Sequence, residues 1–175
     1  GHVIGLIGVG RDRTVLKHAE EALRTSEARF RELVETTTDW MWEINELGAY
    51  TYCSPKIREF LGYEPDEAIG KTPFDFMPPE EAHRVAALFG PIAAARKPFA
   101  GIENINRRKD GQLVTFECRG IPIFGADGSF RGYRGFDQDV TRRKLFELQN
   151  RERLDSMIRF QEIQLHLHRQ PFLDL

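Results

Sequence analysis

Two pairs of carboxylates have the residue type and spacing that best suit acid–base chemistry in this chain. Glu80 and Glu81 are adjacent, and Asp137 and Asp139 are two residues apart. The first pair opens a predicted helix, where the helix dipole stabilises negative charge, and the second pair belongs to the predicted junction between the last strand and the final helix. The chain has no recognisable Ser-His-Asp set or phosphate-binding glycine loop. We therefore predict no catalytic residues and no enzymatic activity in this chain.

The cysteines give no support for metal or disulfide chemistry. Cys53 and Cys118 are too few for a disulfide framework and lack metal-ligand spacing. The simplest interpretation is two buried thiols in a reducing cytoplasm. We predict no metal site.

The composition limits the partners of the protein. The 175 residues carry a net charge of −2, which gives no electrostatic reason to bind nucleic acid or an anionic membrane. No apolar run approaches the ~20 residues that span a bilayer. We therefore expect a soluble, cytoplasmic protein with neither of these partners.

The spacing of apolar residues predicts a helix, two strands, several short helices, three strands and a final helix. A helical pattern without Pro or Gly covers residues 13–36, and another runs from 141 to about 168. "DWMWEIN" and "GAYTYCS" predict the first hairpin, and Asp110-Gly111 and Asp127-Gly128 predict turns between later strands. Ser54 is expected to cap the first short helix, and Gly90-Pro91 to interrupt the longest one.

These elements predict an α+β fold. Two strands cannot bury a face alone, so all five are expected to form one antiparallel sheet with the short helices on one face. The other face then needs cover from the flanking helices or from a second subunit. Residues at 3–4 spacing form a narrow stripe on the first helix, with polar Ser26 at one position and these apolar members: Leu16, Ala19, Leu23, Phe30 and Leu33. Parallel pairing with a second copy and packing on the helix's own domain both remain open.

A short signature occurs twice. The pattern G-x-x-x-D-x-T-x-x-K covers Gly8–Lys17 and again Gly135–Lys144. In the second copy, Asp139 or Thr141 can cap the final helix where it leaves the last strand.

The ordered set of motifs resembles the PAS domain. "TTDWMWEIN…YTYCSPKIREFLGYEPDEAIGK" is similar to the opening hairpin and first helices of that family, and "RRKDGQLVTFECRGIPIFGADGSFRGYRGFDQDVTRRK" to its last three strands. The resemblance implies a PAS core over 37–140 and signalling helices over 13–36 and 141–175. Residues 1–12 would be the last strand of a preceding PAS domain, and Asp139 and Thr141 would form the junction with the exit helix.

PAS domains hold ligands between the sheet and the short helices. The resemblance implies a pocket lined by these residues: Trp42, Ile44, Ile57, Phe60, Phe74, Phe76, Val85, Leu88, Phe89, Ile102, Phe116 and Cys118. The alternative is that they simply fill the core.

No cofactor is predicted, with haem and non-covalent flavin as the alternatives. Haem-binding PAS domains use a histidine on the helix that carries His83, but His83 lies nearly opposite the stripe formed by Val85, Leu88 and Phe89. The photoactive flavin subgroup needs a cysteine where Pro73 stands.

The last residues, "FQEIQLHLHRQPFLDL", resemble the phosphoacceptor box of histidine kinases. His166, Arg169 and Pro171 have the spacing of that box, whereas Leu167 replaces its acidic residue. His166 is thus a candidate phosphoacceptor, with an exposed histidine on a linker helix as the alternative.

The resemblance implies a sensory or relay module of a bacterial signalling protein of the histidine kinase or diguanylate cyclase type. Such a module senses a small ligand or forms a homodimer through its flanking helices. It then passes the signal through the exit helix to an output domain of the same parent chain. A haem or flavin sensor and a ligand-free dimerisation spacer are the alternative functions.

Overall fold

The computed structural model describes residues 13–169, and it describes only the backbone at 13–14, 30–31, 33, 35–36 and 167–169. The predicted remnant strand over residues 1–12 and the side chains of Phe30 and Leu33 lie outside the described part. The chain divides into two units, Gly1–Thr37 and Thr38–Leu175.

The first unit contributes one long helix, α1 (Arg13–Thr36). Leu16 and Leu23, two members of the predicted apolar stripe, are exposed on it. Thr25 Oγ1 donates a hydrogen bond to the carbonyl of Glu21, so this hydroxyl has its partner within the helix.

The second unit alternates strands and short helices. Its elements in chain order are β1 (Trp40–Ile44), β2 (Tyr50–Cys53), α2 (Ile57–Leu61), α3 (Pro65–Ala68), a 3-10 turn (Pro73–Phe76), α4 (Pro79–Ala94), β3 (Phe99–Arg107), β4 (Leu113–Phe124), β5 (Phe130–Asp139) and α5 (Thr141–Arg169). The strands form one antiparallel sheet in the order β2-β1-β5-β4-β3. The predicted α+β fold, with a five-stranded antiparallel sheet and flanking helices, is therefore confirmed.

The first strand of the sheet pairs with the last. Trp40 lies opposite Asp137, and Trp42 lies opposite Gly135. This pairing joins the first hairpin to the last three strands and puts β5 at the centre of the sheet, so residues from the two ends of the core lie side by side. A β-carbon on Gly135 would come within 2.4 Å of the Trp42 ring, so only glycine leaves room for this ring.

The core lies between one face of the sheet and the short helices. Residues that alternate along β1, β4 and β5 point into it, as the period of a strand requires. Its largest fully buried side chains are Trp40, Tyr133, Phe116, Ile57 and Leu61. Phe116 stacks on Phe60 with a distance of 5.4 Å between ring centroids.

Two local predictions were wrong. Ser54 does not cap α2; its hydroxyl is buried and accepts a hydrogen bond from the backbone N–H of Met41 on β1. Pro91 lies inside α4 and does not interrupt it. Pro91 has no N–H to donate to the carbonyl of Ala87, but Ala87 is exposed on the helix surface.

Candidate functional site: a small cavity and its junction with the exit helix

A cavity of about 70 Å³ lies between the sheet and the short helices. Its walls are mostly aromatic and aliphatic, with a side-chain amide and a thiol as the polar groups. The lining residues are Trp42, Ile44, Gly48, Pro73, Phe74, Met77, Val85, Phe89, Phe99, Ile102, Asn104 and Cys118.

Most residues named for the pocket from sequence lie in or beside this cavity. Trp42, Ile44, Phe74, Val85, Phe89, Ile102 and Cys118 line it. Ile57, Phe60, Phe76 and Phe116 belong instead to the adjoining core. The fold therefore brings these side chains together in one region, although only some of them face open space.

Leu88 is the exception. It is 50% exposed and lies outside the cavity, so its inclusion among the lining residues was wrong. The inward face of α4 is set by Val85 and Phe89, which are four residues apart. Leu88 is about 100° away from Phe89 around the helix. His83 is also on the exposed side of α4.

The carboxylate of Asp137 is buried beside the cavity. Its Oδ1 accepts a 2.7 Å hydrogen bond from the indole Nε1 of Trp42, and it also accepts one from the Cys118 thiol. Cys118 lies directly opposite Asp137 in the pairing of β4 with β5. On the neighbouring strand β3, Asn106 Nδ2 donates to Asn104 Oδ1, and both amides are buried.

Burial changes the acidity of this cluster. It raises the pKa of Asp137 from 3.8 to about 6, and the nearby charge of Asp39 raises it too. The hydrogen bonds from Cys118 and Trp42 act in the opposite direction. Burial and the Asp137 charge also raise the pKa of Cys118, and they raise that of Cys53 to about 12. Both cysteines are therefore protonated thiols at neutral pH, and they are not paired with one another.

The exit helix begins two residues after β5. Asp139 Oδ1 accepts a 2.8 Å hydrogen bond from the backbone N–H of Thr141, the first residue of α5. Thr141 Oγ1 in turn accepts a hydrogen bond from the backbone N–H of Thr115 on β4. The backbone N–H of Val140 donates to the Thr115 carbonyl. Asp139 thus satisfies a free N–H of the helix, while Thr115 holds the junction against the sheet.

Charged side chains add a second attachment of α5. Glu103 and Glu117 lie opposite one another on β3 and β4, where two like charges repel. Arg143 lies 2.5 Å from Glu117 and 3.7 Å from Glu103, and Lys144 lies 2.7 Å from Glu103. The first turn of α5 therefore supplies the positive charge that this pair of carboxylates needs.

Sequence reasoning missed two features of the site. It assigned Asp137 to the strand-to-helix junction, whereas the side chain is buried beside the cavity. The alternation of Tyr133, Gly135 and Asp137 along β5 is the signal that could have identified it. Asn104 had no such signal, because its burial depends on how β3 packs under α4.

Within the described residues, no group of three or more His, Cys, Asp or Glu side chains is placed to hold a metal ion. No helix in the same part of the chain is long and apolar enough to cross a membrane.

Comparison with known proteins identifies the family. The sequence profile of the PAS fold matches residues 28–140, and the chain belongs to this family. It is a PAS sensory domain, a module that is not itself catalytic.

Two of the similar proteins come from bacteria. The chain is 28% identical over 144 residues to the uncharacterized protein y4lL of Sinorhizobium fredii; this covers 82% of the chain but only 17% of that protein. A sensory box histidine kinase/response regulator structure from Burkholderia thailandensis shares 26% identity with a TM-score of 0.59, covering 75% of this chain and 98% of that one.

A further neighbour shows the fold alone. The N-terminal domain of a diguanylate cyclase with PAS/PAC sensor from Marinobacter aquaeolei is 18% identical with a TM-score of 0.55, covering 61% of this chain and 99% of that one.

Proposed function

We propose that this PAS domain senses a small ligand in its cavity and relays binding to α5 through β5. The observation that carries the proposal is the position of Asp137. Trp42 and Cys118 line the cavity and both donate to its carboxylate. Asp137 lies on β5 two residues before Asp139, whose side chain accepts the first N–H of α5. A ligand that moves Trp42 or Cys118 therefore acts on the strand that leads directly into the helix.

The volume of the cavity favours a very small ligand. Drug-sized ligands occupy pockets of about 300–1,000 Å³, whereas this cavity has about 70 Å³. A haem or flavin would require the short helices to move outward. The visible absorption spectrum of the purified protein separates these alternatives, because a haem or flavin band would favour the cofactor sensor.

A matched pair of substitutions on α4 tests the relay. Val85 lines the cavity and is buried, whereas Leu88 is on the same helix but outside it. We expect Val85→Phe to fill the cavity and slow amide hydrogen exchange in the first turn of α5, since filling the cavity rigidifies β5. Val85→Leu is the milder version of the same change.

Leu88→Phe adds a similar aromatic ring outside the cavity and is the control. We expect it to leave exchange in α5 unchanged. Equal effects of the Val85 and Leu88 substitutions, with both proteins folded by circular dichroism, would contradict a relay from the cavity.

We also propose that the flanking helices pair with those of a second copy. The support is apolar exposure: Leu16 and Leu23 are both exposed on α1, and α5 exposes a further set of apolar side chains. These are Leu145, Phe146, Leu148, Leu154, Met157, Ile158, Phe160, Ile163 and Leu165. Burying such a stripe against its own copy is the usual route to a parallel helix dimer.

Sedimentation analysis tests this pairing. Leu16→Glu combined with Leu23→Glu places charges in the stripe, and we expect it to weaken the dimer. His18→Glu combined with Ala28→Glu adds two carboxylates on other faces of the same helix and is the matched control. A wild-type protein that stays monomeric at high concentration would contradict the proposal. It would also exclude the alternative function of a dimerisation spacer.

We also propose that the domain passes its signal to an output domain of the same parent chain. Similarity to the sensory box histidine kinase/response regulator from Burkholderia thailandensis supports a bacterial signalling protein of the histidine kinase type, with the diguanylate cyclase type as the alternative. His166 is exposed on α5, as a phosphoacceptor must be. The free thiols Cys53 and Cys118 are consistent with a cytoplasmic location.

A further inference from the structure

Asp137 is a buried carboxylate without a cationic partner among the described residues. It is 4% exposed, and its described hydrogen-bond donors are the neutral indole of Trp42 and the neutral thiol of Cys118. The ion pairs formed elsewhere in the second unit involve other acidic side chains, such as Glu103 and Glu117. Buried acidic groups in proteins are normally paired, because an unpaired charge is costly to bury.

The negative charge of Asp137 affects the ionisable side chains around it. It raises the pKa of Cys118, Cys53 and the fully buried Tyr50, in each case after the larger effect of burial. No basic side chain in the described structure compensates this charge from the cavity, because none lines its wall. The region between the sheet and the short helices therefore has a negative potential that a positively charged guest would neutralise.

The cavity wall suits such a guest. Four aromatic residues line it: Trp42, Phe74, Phe89 and Phe99. Aromatic rings attract cations through their electron-rich faces, and cages of such rings bind alkylammonium groups. Asn104 also lines the cavity, and its side-chain oxygen can accept a second hydrogen bond besides the one from Asn106.

We propose that the cavity binds a small organic cation of the alkylammonium type, with Asp137 as its counter-charge behind Trp42 and Cys118. This inference rests on the proposed function, namely that the cavity holds a ligand. The volume of about 70 Å³ is roughly half of the ~150 Å³ that accommodates benzene, so the cation has about three to five heavy atoms. Because Asp137 does not line the cavity itself, it acts by charge through the low-dielectric interior.

The experiment compares a cation with a neutral molecule of similar shape. Binding of trimethylammonium chloride and of tert-butanol is measured by NMR titration at pH 7.5, with sodium chloride keeping the ionic strength equal. We expect the wild-type protein to bind trimethylammonium about tenfold more tightly than tert-butanol or better. Asp137→Asn keeps an oxygen acceptor for Trp42 Nε1 but removes the charge, and we expect it to lose this preference.

The pH dependence of the wild-type protein is a second test that needs no variant. The groups facing Asp137 are Trp42, Cys118, Tyr50, Cys53 and Asp39. The cysteines and Tyr50 stay neutral across this range, and Asp39 forms an ion pair with Arg119 at 2.6 Å. Since the pKa of Asp137 is about 6, we expect the preference for the cation to fall by about tenfold between pH 7.5 and pH 5. This series decides the question if Asp137→Asn does not fold.

Each outcome has a distinct meaning. Equal affinity for the two probes would overturn the cation inference and leave the proposed ligand-sensing function standing. Failure of both probes to bind, or a cation preference that persists in Asp137→Asn and at pH 5, would also overturn the inference. The substitutions at Val85 and Leu88 judge the proposed relay separately, because they require no ligand.

Discussion

Asp137 and Glu117 lie on neighbouring strands of one sheet, yet their carboxylates have opposite surroundings. Asp137 faces the core, is buried and accepts hydrogen bonds from neutral donors. Glu117 precedes Cys118, the cross-strand partner of Asp137, and so faces the other side of the sheet. There it is about one-third exposed and lies 2.5 Å from the guanidinium of Arg143.

The two faces of the sheet therefore differ in what their carboxylates contribute. On the inner face, the aromatic core keeps the Asp137 carboxylate buried, in an environment that disfavours its negative charge. On the outer face, solvated ion pairs attach α5 without contributing much stability, because exposed pairs are weak. We therefore expect the inner face to dominate stability and binding, and the outer face to control the orientation of the exit helix.

The largest effect should come from removing the inner-face aromatic ring at Phe116. This side chain is completely buried and stacks on Phe60. We expect Phe116→Ala to lower the free energy of unfolding by about 3–5 kcal/mol, since it loses buried area and leaves a cavity. Urea denaturation followed by tryptophan fluorescence measures this loss.

Phe124→Ala is the matched control on the same strand. Phe124 is 50% exposed, so its loss should cost less than about 1 kcal/mol. Similar losses at both positions would show that the buried ring of Phe116 contributes no more stability than an exposed one.

The next effect concerns the pH dependence of stability. The pKa of Asp137 rises from 3.8 to about 6 on folding, so the folded protein holds this proton more tightly than the unfolded chain. The resulting stabilisation is fully present below about pH 4 and is lost as the pH rises through 6. It amounts to about 3 kcal/mol for a shift of about two pH units.

Asp137→Asn removes this titration and serves as the reference for all other groups. From pH 4 to pH 7, we expect the free energy of unfolding of the wild-type protein to fall by about 3 kcal/mol relative to that of the variant. Thermal or urea denaturation across this range measures the difference. Parallel curves for the two proteins would mean that the Asp137 carboxylate titrates normally.

The smallest effect on stability should come from the outer face. We expect Glu103→Gln combined with Glu117→Gln to leave the melting temperature almost unchanged, because exposed ion pairs contribute little. Hydrogen exchange in the first turn of α5 should nevertheless become faster, since Arg143 and Lys144 lose their partners on the sheet and keep only Glu147 of their own helix. In about 0.5 M salt, the wild-type protein should approach the variant because the charges are screened.

Asp155→Asn removes an exposed carboxylate further along α5 and is the control. It should leave exchange in the first turn unchanged. A large fall in melting temperature for the Glu103 and Glu117 double variant, or exchange that does not respond to salt, would contradict the division of tasks between the two faces.

Particular residues show which features of the structure could be predicted from the sequence. The order of elements and the turns at Gly48, Gly111 and Gly128 could be predicted because periodicity and turn chemistry are local. Seven of the residues that the family resemblance implied for the pocket line the cavity, since the PAS fold places its pocket between the sheet and the short helices. Leu88 was misplaced because the direction in which α4 faces the sheet depends on packing that no local pattern encodes.

The sequence by itself determined the fold: five strands with apolar alternation and short helices between them have one economical arrangement, an antiparallel sheet covered on one face. It also determined the start of α5, because Asp139 accepts the N–H of Thr141 only two residues later. Only the tertiary structure decided the environment of Asp137. The pairing of the first strand with the last brings Trp42 beside it, and the register of β4 brings Cys118 opposite. Burial then follows from these long-range contacts, and it raises the pKa of a carboxylate that appears ordinary in the sequence.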